Sequence, residues 1–298
     1  MRITLKQLSI FEAIAHSGQV SRAAKMMNLS APATSMALSE LETQLGARLF
    51  DRVGNRLRLN SQGHLLLPLA TEALQKVERI EHQFSSTVTE VSGTLNVSAS
   101  STIGNYLMAK SAVAFCQQHP LAYVNLDINN TQAVIKSVLE FRSEVGFIEG
   151  QCLDSRIEVE PWHKDNLLVF CHTAHPLAGK RVHPEELCGQ AWVMREKGSG
   201  TRDYFIRAAN TLEMQPIERF SFSTPDAIKQ AVKQGAGLAV LSELSLEKEL
   251  SRKELAIIEV EGLKLTRQFY RIQHKGRSFT PLCDAFIAFC INFNDLSV

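Results

Sequence analysis

The sequence predicts a small α-helical domain at the N-terminus, a long connecting helix, and a larger α/β domain with two lobes. Three patterns indicate this organisation. Residues 21–52 read as two short helices and a basic hairpin, residues 61–90 carry a narrow apolar stripe at helical spacing, and strands alternate with helices from residue 93 onward. At 298 residues the chain is long enough for two or three domains.

The composition, 45% apolar and 21% charged, is that of a soluble globular protein. No apolar run approaches the length of a membrane span, and the first residues do not resemble a signal peptide, so we expect a cytoplasmic protein with no membrane partner. The six cysteines are scattered without a Cys-x-x-Cys pair, which favours reduced thiols. Residues 1–60 carry eight Lys and Arg against four Asp and Glu, although the whole chain is only +1. This asymmetry favours nucleic-acid binding by the N-terminal region alone.

The first 46 residues predict three helices. Thr4 is positioned to cap the first, and Ser21 is predicted to cap the second. Ser30 is predicted to cap the third, with Pro32 in its first turn and Gly46 at its end. The apolar positions of the third helix are Ala33, Ala37, Leu38, Leu41 and Leu45, and its opposite, polar face carries Thr34, Ser35, Met36, Ser39 and Glu40.

Two short helices of this kind suit a helix-turn-helix motif, whose second helix enters the major groove of DNA. Residues 49–60 then alternate around Gly54-Asn55, which predicts a hairpin, or wing. We assign its Arg52, Arg56 and Arg58 to phosphates or the minor groove, the alternative being a solvated basic hairpin. The predicted DNA-binding residues are Ser21, Ser30, Pro32, Thr34, Ser35, Met36, Ser39, Arg52, Arg56 and Arg58.

Residues 61–90 predict one long helix with Gly63 and Pro68 as weak points. A stripe spaced by alternate steps of four and three residues has nothing in its own helix to pack against, so pairing with a second copy, and hence a dimer, is expected. The stripe consists of Leu66, Ala70, Ala73, Val77, Ile80 and Phe84.

Beyond a hinge at residues 91–93, the alternation of strands and helices predicts parallel sheets covered by helices. The predicted strands are 94–100, 123–129, 145–149, 167–173, 192–194, 220–222, 238–241 and 269–273, and the predicted helices are 103–118, 131–141, 201–212, 225–234 and 281–293.

The N-terminal region also carries a specific pattern, S-x-A-A-…-L-S-x-P-A-x-S-x-x-L-x-x-L-E-x-x-L-G-x-x-L-F-x-R. Its residues here are Ser21, Ala23, Ala24, Leu29, Ser30, Pro32, Ala33, Ser35, Leu38, Leu41, Glu42, Leu45, Gly46, Leu49, Phe50 and Arg52. This pattern resembles the N-terminal signature of LysR-type transcriptional regulators, and so many matches at fixed spacing make the resemblance strong. The alternative is an ordinary helical hairpin in a larger enzyme.

The resemblance implies a winged helix-turn-helix, a linker helix that dimerises, and a two-lobed effector domain similar to periplasmic binding proteins. It also implies double-stranded DNA and RNA polymerase as partners, and a homodimer or homotetramer. An enzyme or solute-binding protein of the same fold is the alternative for residues 93–298, but it does not explain the basic N-terminal region. The expected boundaries are 1–60, 61–90 and 93–298, with lobe 1 at about 93–164 and 267–298 and lobe 2 at about 165–266.

Polar residues at the carboxyl ends of predicted strands, each just before a helix, predict an anion site between the lobes. The bland alternative is that the hydroxyls only cap helices. Glu149 is also expected at the cleft, where it would select a protonated ligand or only form a salt bridge across the lobes. The predicted effector-binding residues are Ser100, Ser101, Thr102, Asn130, Thr131, Glu149, Arg195, Ser199, Gly200, Thr201 and Arg202.

This set looks most similar to the YeiE-type and CbbR-type branches of the family, which implies a small anionic effector. A sulfur oxyanion such as sulfite or sulfate, or a phosphorylated or carboxylated metabolite, is expected. The spacing of Cys171, His172, His175 and His183 favours a loop over a metal site, so no metal or other cofactor is expected. We find no catalytic-triad, nucleophile-elbow or kinase pattern, and therefore expect no enzyme.

Overall fold

The computed structural model describes residues 3–54, 56–84 and 91–293. Its N-terminal part is a three-helix domain with a hairpin, followed by one long helix. These elements are α1 (Leu5–Ser17), α2 (Val20–Met26), α3 (Ala31–Leu45), β1 (Phe50–Val53), β2 (Arg56–Leu59) and α4 (Ser61–Phe84). None of the described helices combines the length and the apolar character needed to cross a membrane.

The core of this N-terminal part, called the head below, joins all three helices to the hairpin. Phe11 and Ile14 of α1, Leu41 of α3 and Leu49 before β1 are almost completely buried in one cluster. Thr4 caps α1, accepting from the Gln7 backbone N–H, while the Gln7 side chain accepts from the Thr4 N–H, a reciprocal capping box. The head is therefore a packed unit with its own hydrophobic core.

Two predictions about the head are wrong in detail. Helix α2 begins at Val20 after Gln19, so Ser21 lies in its first turn and is not the cap. Thr34 is fully buried and donates its hydroxyl to the Ser30 carbonyl oxygen at 3.0 Å. Because Thr34, Leu38 and Leu41 form the buried stripe of α3, the helix is rotated by about one position from the predicted face.

Helix α4 runs unbroken through Pro68. The prediction of a free apolar stripe is wrong for the first half of this helix, because Leu67 and Ala70 pack into the head core. Leu65 and Leu69 are exposed instead, on another side of the helix. The predicted continuation to residue 90, like Asn55 of the hairpin, lies outside the described residues.

The C-terminal part is α/β. Its strands are β3 (Gly93–Ser100), β4 (Ala122–Asn129), β5 (Val145–Ile148), β6 (Ile157–His172), β7 (Arg181–Val182), β8 (Ala191–Arg195), β9 (Ile217–Phe222), β10 (Leu238–Ser242), β11 (Leu255–Val260) and β12 (Thr266–His274). Its helices are α5 (Ala109–Gln118), α6 (Thr131–Leu139), α7 (Gly200–Thr211), α8 (Pro225–Lys233), α9 (Glu243–Ser251) and α10 (Pro281–Asn292), with a π-helical segment at Ile103–Met108 and a 3-10 turn at Pro184–Leu187.

Two lobes share the long strand β6. The strands follow the order β4-β3-β5-β12-β6-β10-β8-β9, with β11 also paired to β6. In lobe 1, β3 is parallel to β4 and β5, whereas β12 is antiparallel to both of its neighbours. Separate buried cores, one around Phe115, Phe147 and Phe286 and another around Trp192 and Phe205, lie in the two lobes. This is the predicted two-lobed α/β fold.

Three parts of this domain differ from the prediction. Strand β6 begins at Ile157, ten residues before the predicted start. The prediction missed its first half because that half is polar and contains Pro161. Helix α9 and strand β11 were not predicted. The first turns of the helix predicted from Ile103 are π-helical, a conformation that is often found at functional sites.

Candidate functional site

The exposed face of α3 carries four of the predicted DNA-binding residues. Pro32, Ser35, Met36 and Ser39 are exposed, and Met36 keeps 64% of its surface accessible. Ser30 precedes them as the helix cap, accepting from the Ala33 backbone N–H. The side chains of this face are therefore accessible, whereas the side chain of Thr34 is not.

The hairpin arginines lie on two faces. Arg56 and Arg58 are two positions apart in β2 and therefore lie on the same face of the hairpin. Arg52 of β1 is paired with Leu57 and therefore lies on the other face. All three are exposed, and no ion pair joins them to another described residue. Arg52 and Arg56, together with Ser21 at the start of α2, also line an open cavity with a volume of about 340 Å³. The head thus presents exposed cations, without an ion pair among the described residues, next to the start of α2.

The predicted effector residues meet between the lobes. The parallel strands β3 and β4 end in register at Ser100 and Asn129, and β8 of lobe 2 ends at Arg195. The Arg195 Nη2 atom of lobe 2 lies 3.2 Å from the Ser101 Oγ of lobe 1. The Gln132 N–H donates to the Gly198 carbonyl oxygen at 3.3 Å. The two lobes are therefore in direct contact at the predicted cleft.

Glu149 lies in this contact but is fully engaged by the protein. Its Oε1 accepts from the Thr102 backbone N–H at 2.6 Å. Its Oε2 accepts from the Thr201 hydroxyl at 2.9 Å and from Arg267 Nη1 at 3.0 Å. Burial alone would raise its pKa, but Arg267, Arg195 and the two hydrogen bonds outweigh burial and lower the pKa to about 2. Glu149 thus pairs with Arg267 inside lobe 1, so the expected salt bridge across the lobes is not formed, and its bond to lobe 2 is the one from the Thr201 hydroxyl.

Sequence reasoning missed the partners of Glu149. Arg267, at the start of β12, is 2% exposed and also pairs with Asp165 of β6 at 2.6 Å. Asp165 in turn accepts from the Ser242 hydroxyl at 2.7 Å. Two opposite charges at the two predicted crossings between the lobes, residues 165 and 267, were the signal that could have identified this pair.

Arg195 and Arg202 behave differently from each other. Arg195 is buried, and Glu196 accepts from its Nε at 2.8 Å and its Nη2 at 3.0 Å, which fixes the guanidinium plane. Arg202 instead makes two bonds with Glu218, at 2.9 and 2.6 Å, and donates to the Arg195 carbonyl oxygen. Each arginine therefore has a carboxylate partner, and the role of Arg202 toward an effector stays a prediction.

Three buried polar atoms at the cleft have no hydrogen-bond partner within the described part of the chain: Ser100 Oγ, Thr131 Oγ1 and Arg195 Nη1. Buried polar groups are normally paired, so such atoms together indicate a missing partner. The side chain of Ser199 does not cap α7, which leaves the first N–H groups of that helix without a side-chain acceptor. By contrast, the Asn130 side chain accepts from the Ala133 N–H and has the role of a helix cap.

The lobes approach each other most closely at Gly200. A Cβ atom there would lie 2.7 Å from Thr131 Oγ1 and 2.8 Å from the Gly150 nitrogen, closer than atoms can pack. Glycine is therefore required for the two backbones to meet, and the space between the lobes is small.

The histidines near Cys171 form local turns. Nδ1 of His172 accepts from the Ala174 N–H, and Nδ1 of His175 accepts from the Leu177 N–H. Over residues 3–54, 56–84 and 91–293, no group of three His, Cys, Asp or Glu side chains could hold a metal ion.

A helix-turn-helix head with exposed cations, attached to a two-lobed α/β domain with a polar cleft, defines a DNA-binding regulator with an effector domain. A sequence model described as "Bacterial regulatory helix-turn-helix protein, lysR family" matches residues 5–64, and one described as "LysR substrate binding domain" matches residues 89–294. The chain belongs to the LysR family of transcriptional regulators.

Relatives lie in both of the branches that the sequence resembles. The chain is 37% identical over 294 residues to the HTH-type transcriptional regulator YeiE of Escherichia coli K12, covering 97% of this chain and 98% of YeiE. It is 30% identical over 293 residues to the RuBisCO operon transcriptional regulator of Allochromatium vinosum, covering 98% and 97%. Among solved structures, the regulatory domain of CcmR from Synechocystis PCC6803, in complex with 2-PG, has a TM-score of 0.64 at 24% identity, covering 69% of this chain and 99% of that chain.

Proposed function

We propose that this LysR-family regulator senses a small oxyanion held between the two lobes of its effector domain. The observation that carries the proposal is the group of three unpartnered buried atoms, Ser100 Oγ, Thr131 Oγ1 and Arg195 Nη1. All three can donate hydrogen bonds, and an oxyanion supplies only acceptors, so one ligand would satisfy all of them. The uncapped start of α7 adds backbone donors and a favourable helix dipole.

The size and charge of the cleft narrow the class of ligand. The lobes are already in close contact at Gly200, so we infer that the ligand is a small ion or the anionic end of a metabolite, such as sulfite, sulfate, a phosphate or a carboxylate. Arg195 supplies positive charge at this site, and Glu196 holds its guanidinium in place. The CcmR regulatory domain shares this fold and was solved in complex with 2-PG, which supports a small-molecule ligand for the effector domain.

On the DNA side, we propose that the exposed face of α3 reads base edges and that the wing holds the phosphate backbone. Pro32, Ser35, Met36 and Ser39 include no side chain that can make a bidentate bond to guanine or adenine. Thymine methyl groups and DNA shape therefore dominate recognition, which favours inverted repeats rich in A·T pairs. Paired copies in the cytoplasm would contact RNA polymerase from such sites. Selection from a random duplex library tests this, and a G·C-rich motif without symmetry would contradict it.

A thermal-shift screen of the full chain tests the effector proposal. The panel contains sulfite, sulfate, thiosulfate, phosphate, and phosphorylated and dicarboxylic metabolites. An anion at 100 times its dissociation constant should stabilise the folded chain by about 2.7 kcal/mol. In the double variant Ser100→Ala, Thr131→Ala the same anion should give a much smaller shift. Thr173→Ala with Ser223→Ala, at exposed positions, is the matched control. No shift with any anion, or equal shifts in both double variants, would contradict the proposal.

A further inference from the structure

The side chain of Gln75 joins the linker helix α4 to lobe 1 of the same chain. Gln75 is only 7% exposed. The Gln75 amide is oriented so that its oxygen faces the donors of Arg277 and its nitrogen faces the Ser278 carbonyl oxygen. In this orientation the Gln75 oxygen accepts from Arg277 Nε at 2.7 Å and Nη2 at 3.1 Å, and the Gln75 nitrogen donates to the Ser278 carbonyl oxygen at 3.3 Å. A buried amide with three hydrogen bonds to two residues, one of them charged, is a specific contact.

Further contacts hold Arg277 in lobe 1 and hold helix α4 near Gln75. In lobe 1, Arg277 Nη1 donates to the Ser143 carbonyl oxygen at 3.1 Å, and its guanidinium lies over the Phe141 ring at 5.8 Å. One helical turn before Gln75, the Thr71 hydroxyl donates to Glu12 of α1. Since α1 belongs to the head core, a displacement at Gln75 is passed to the head as a whole.

Strand β12 connects this contact to the effector cleft. Arg267, near its first residue, holds Glu149 and Asp165, and Arg277 follows its last residue by three positions. Between them, β12 pairs with β6 along its length except for a bulge between Gln268 and Tyr270, and it pairs with β5 from Tyr270 to Ile272. Tightly packed interiors transmit strain, so this strand offers a path between the two contacts.

We propose that the surface formed by Arg277 and Ser278 is a docking site for the linker helix of the same chain, and that β12 couples this docking to the arrangement of the two lobes. Glu149 and Thr201 bond across the lobes beside Arg267, so a change at the cleft displaces the start of β12 and alters the Gln75 contact at its end. Coupling of this kind requires that the docked and undocked heads bind DNA with different affinity. Its regulatory meaning rests on the proposed effector site, but its test needs no effector.

A thermodynamic cycle on DNA affinity tests the coupling in the full chain. The probe is an inverted-repeat duplex selected from a random library. Gln75→Leu removes the docking contact while preserving the volume of the side chain, and Thr201→Val removes the bond to Glu149. Sites that do not communicate should give additive changes, within about twofold. We expect a departure from additivity of at least about fivefold.

A matched cycle replaces Gln75→Leu with Gln62→Leu, an exposed glutamine at the start of the same helix, and should be additive. Hydrogen exchange provides a second readout. Amides of residues 274–280 should exchange faster in Gln75→Leu than in the wild-type chain, and Gln62→Leu should leave them unchanged. Additivity in the Gln75 cycle, or unchanged exchange at residues 274–280, would overturn the proposal. Absence of any anion-induced thermal shift would instead count only against the effector site.

Discussion

In the head, Arg56 and Arg58 lie exposed on one face of a hairpin and are in no ion pair with the described residues, whereas in the cleft Arg195 and Arg267 are buried and each is hydrogen-bonded to a carboxylate. The exposed pair can act at a distance on any polyanion, with a strength that salt screens. The buried pair offers little net charge and acts through the direction of its N–H groups.

The difference teaches how one chain would bind DNA and the proposed oxyanion by different means. A DNA backbone is long and highly charged, and exposed cations that form no ion pair suit it. The proposed oxyanion would be recognised by the number and geometry of its donors, because Glu149, Asp165 and Glu196 already neutralise the cleft arginines. Binding there should therefore depend less on ionic strength than DNA binding does.

The largest effect is expected from Arg267→Met. This change leaves Glu149 and Asp165 buried without their cation, and removal of one partner from a buried pair destabilises a protein by about 3–5 kcal/mol. Urea unfolding of the C-terminal domain should show a loss of this size. Arg181→Met, which removes an exposed arginine from Glu259 and Glu261, should cost at most about 1 kcal/mol. Equal losses in both variants would contradict the buried network.

In the head, Arg56→Ala with Arg58→Ala should weaken binding to all DNA sequences to a similar extent. If each arginine contacts a phosphate, the slope of the logarithm of affinity against the logarithm of salt concentration falls by about one unit per arginine. Fluorescence anisotropy at several salt concentrations measures this slope. Arg219→Ala, at an exposed position in lobe 2, is the control. An unchanged slope in the double variant would show that these two arginines do not contact DNA phosphates.

The smallest effect is a pH dependence at Glu149. Its pKa in the folded chain, about 2, lies below the ordinary value of 4.5, so its ionised form stabilises the fold above pH 4.5 and this stabilisation is lost as the pH falls toward 2. The melting temperature of the wild-type chain should exceed that of Glu149→Gln at pH 5.5, and the gap should narrow at pH 3.5. Glu247→Gln, exposed on α9, should show no such narrowing. A gap independent of pH would exclude Glu149 as its source.

The sequence was most informative where spacing alone determines structure. The caps at Thr4 and Ser30 and the glycine after α3 follow local rules, so α1 and α3 begin and end as predicted. The burial of Thr34 did not follow, because a rotation of one residue position on a short helix depends on what the helix packs against. Strand β6 was half missed because the pairing of its polar first half comes from β12, about a hundred residues later in the chain.

The position of the cleft could be predicted from the sequence, but the hydrogen bonds and ion pairs within it could not. Strand ends and helix starts brought Ser100, Thr131 and Arg195 to one region, as their positions in the pattern indicated. The partners of Glu149 come from the start of α7 and from β12, at sequence separations of 52 and 118 residues. No local pattern records such contacts, since they are fixed only when the two lobes close on each other.

The close approach at Gly200 has a consequence for genetics. A methyl group at this position of lobe 2 would press against Thr131 and Gly150 of lobe 1 and hold the lobes apart. Selections for regulator alleles that ignore their inducer should therefore recover substitutions of this glycine, and an allele of this kind would combine intact DNA binding with a fixed transcriptional output.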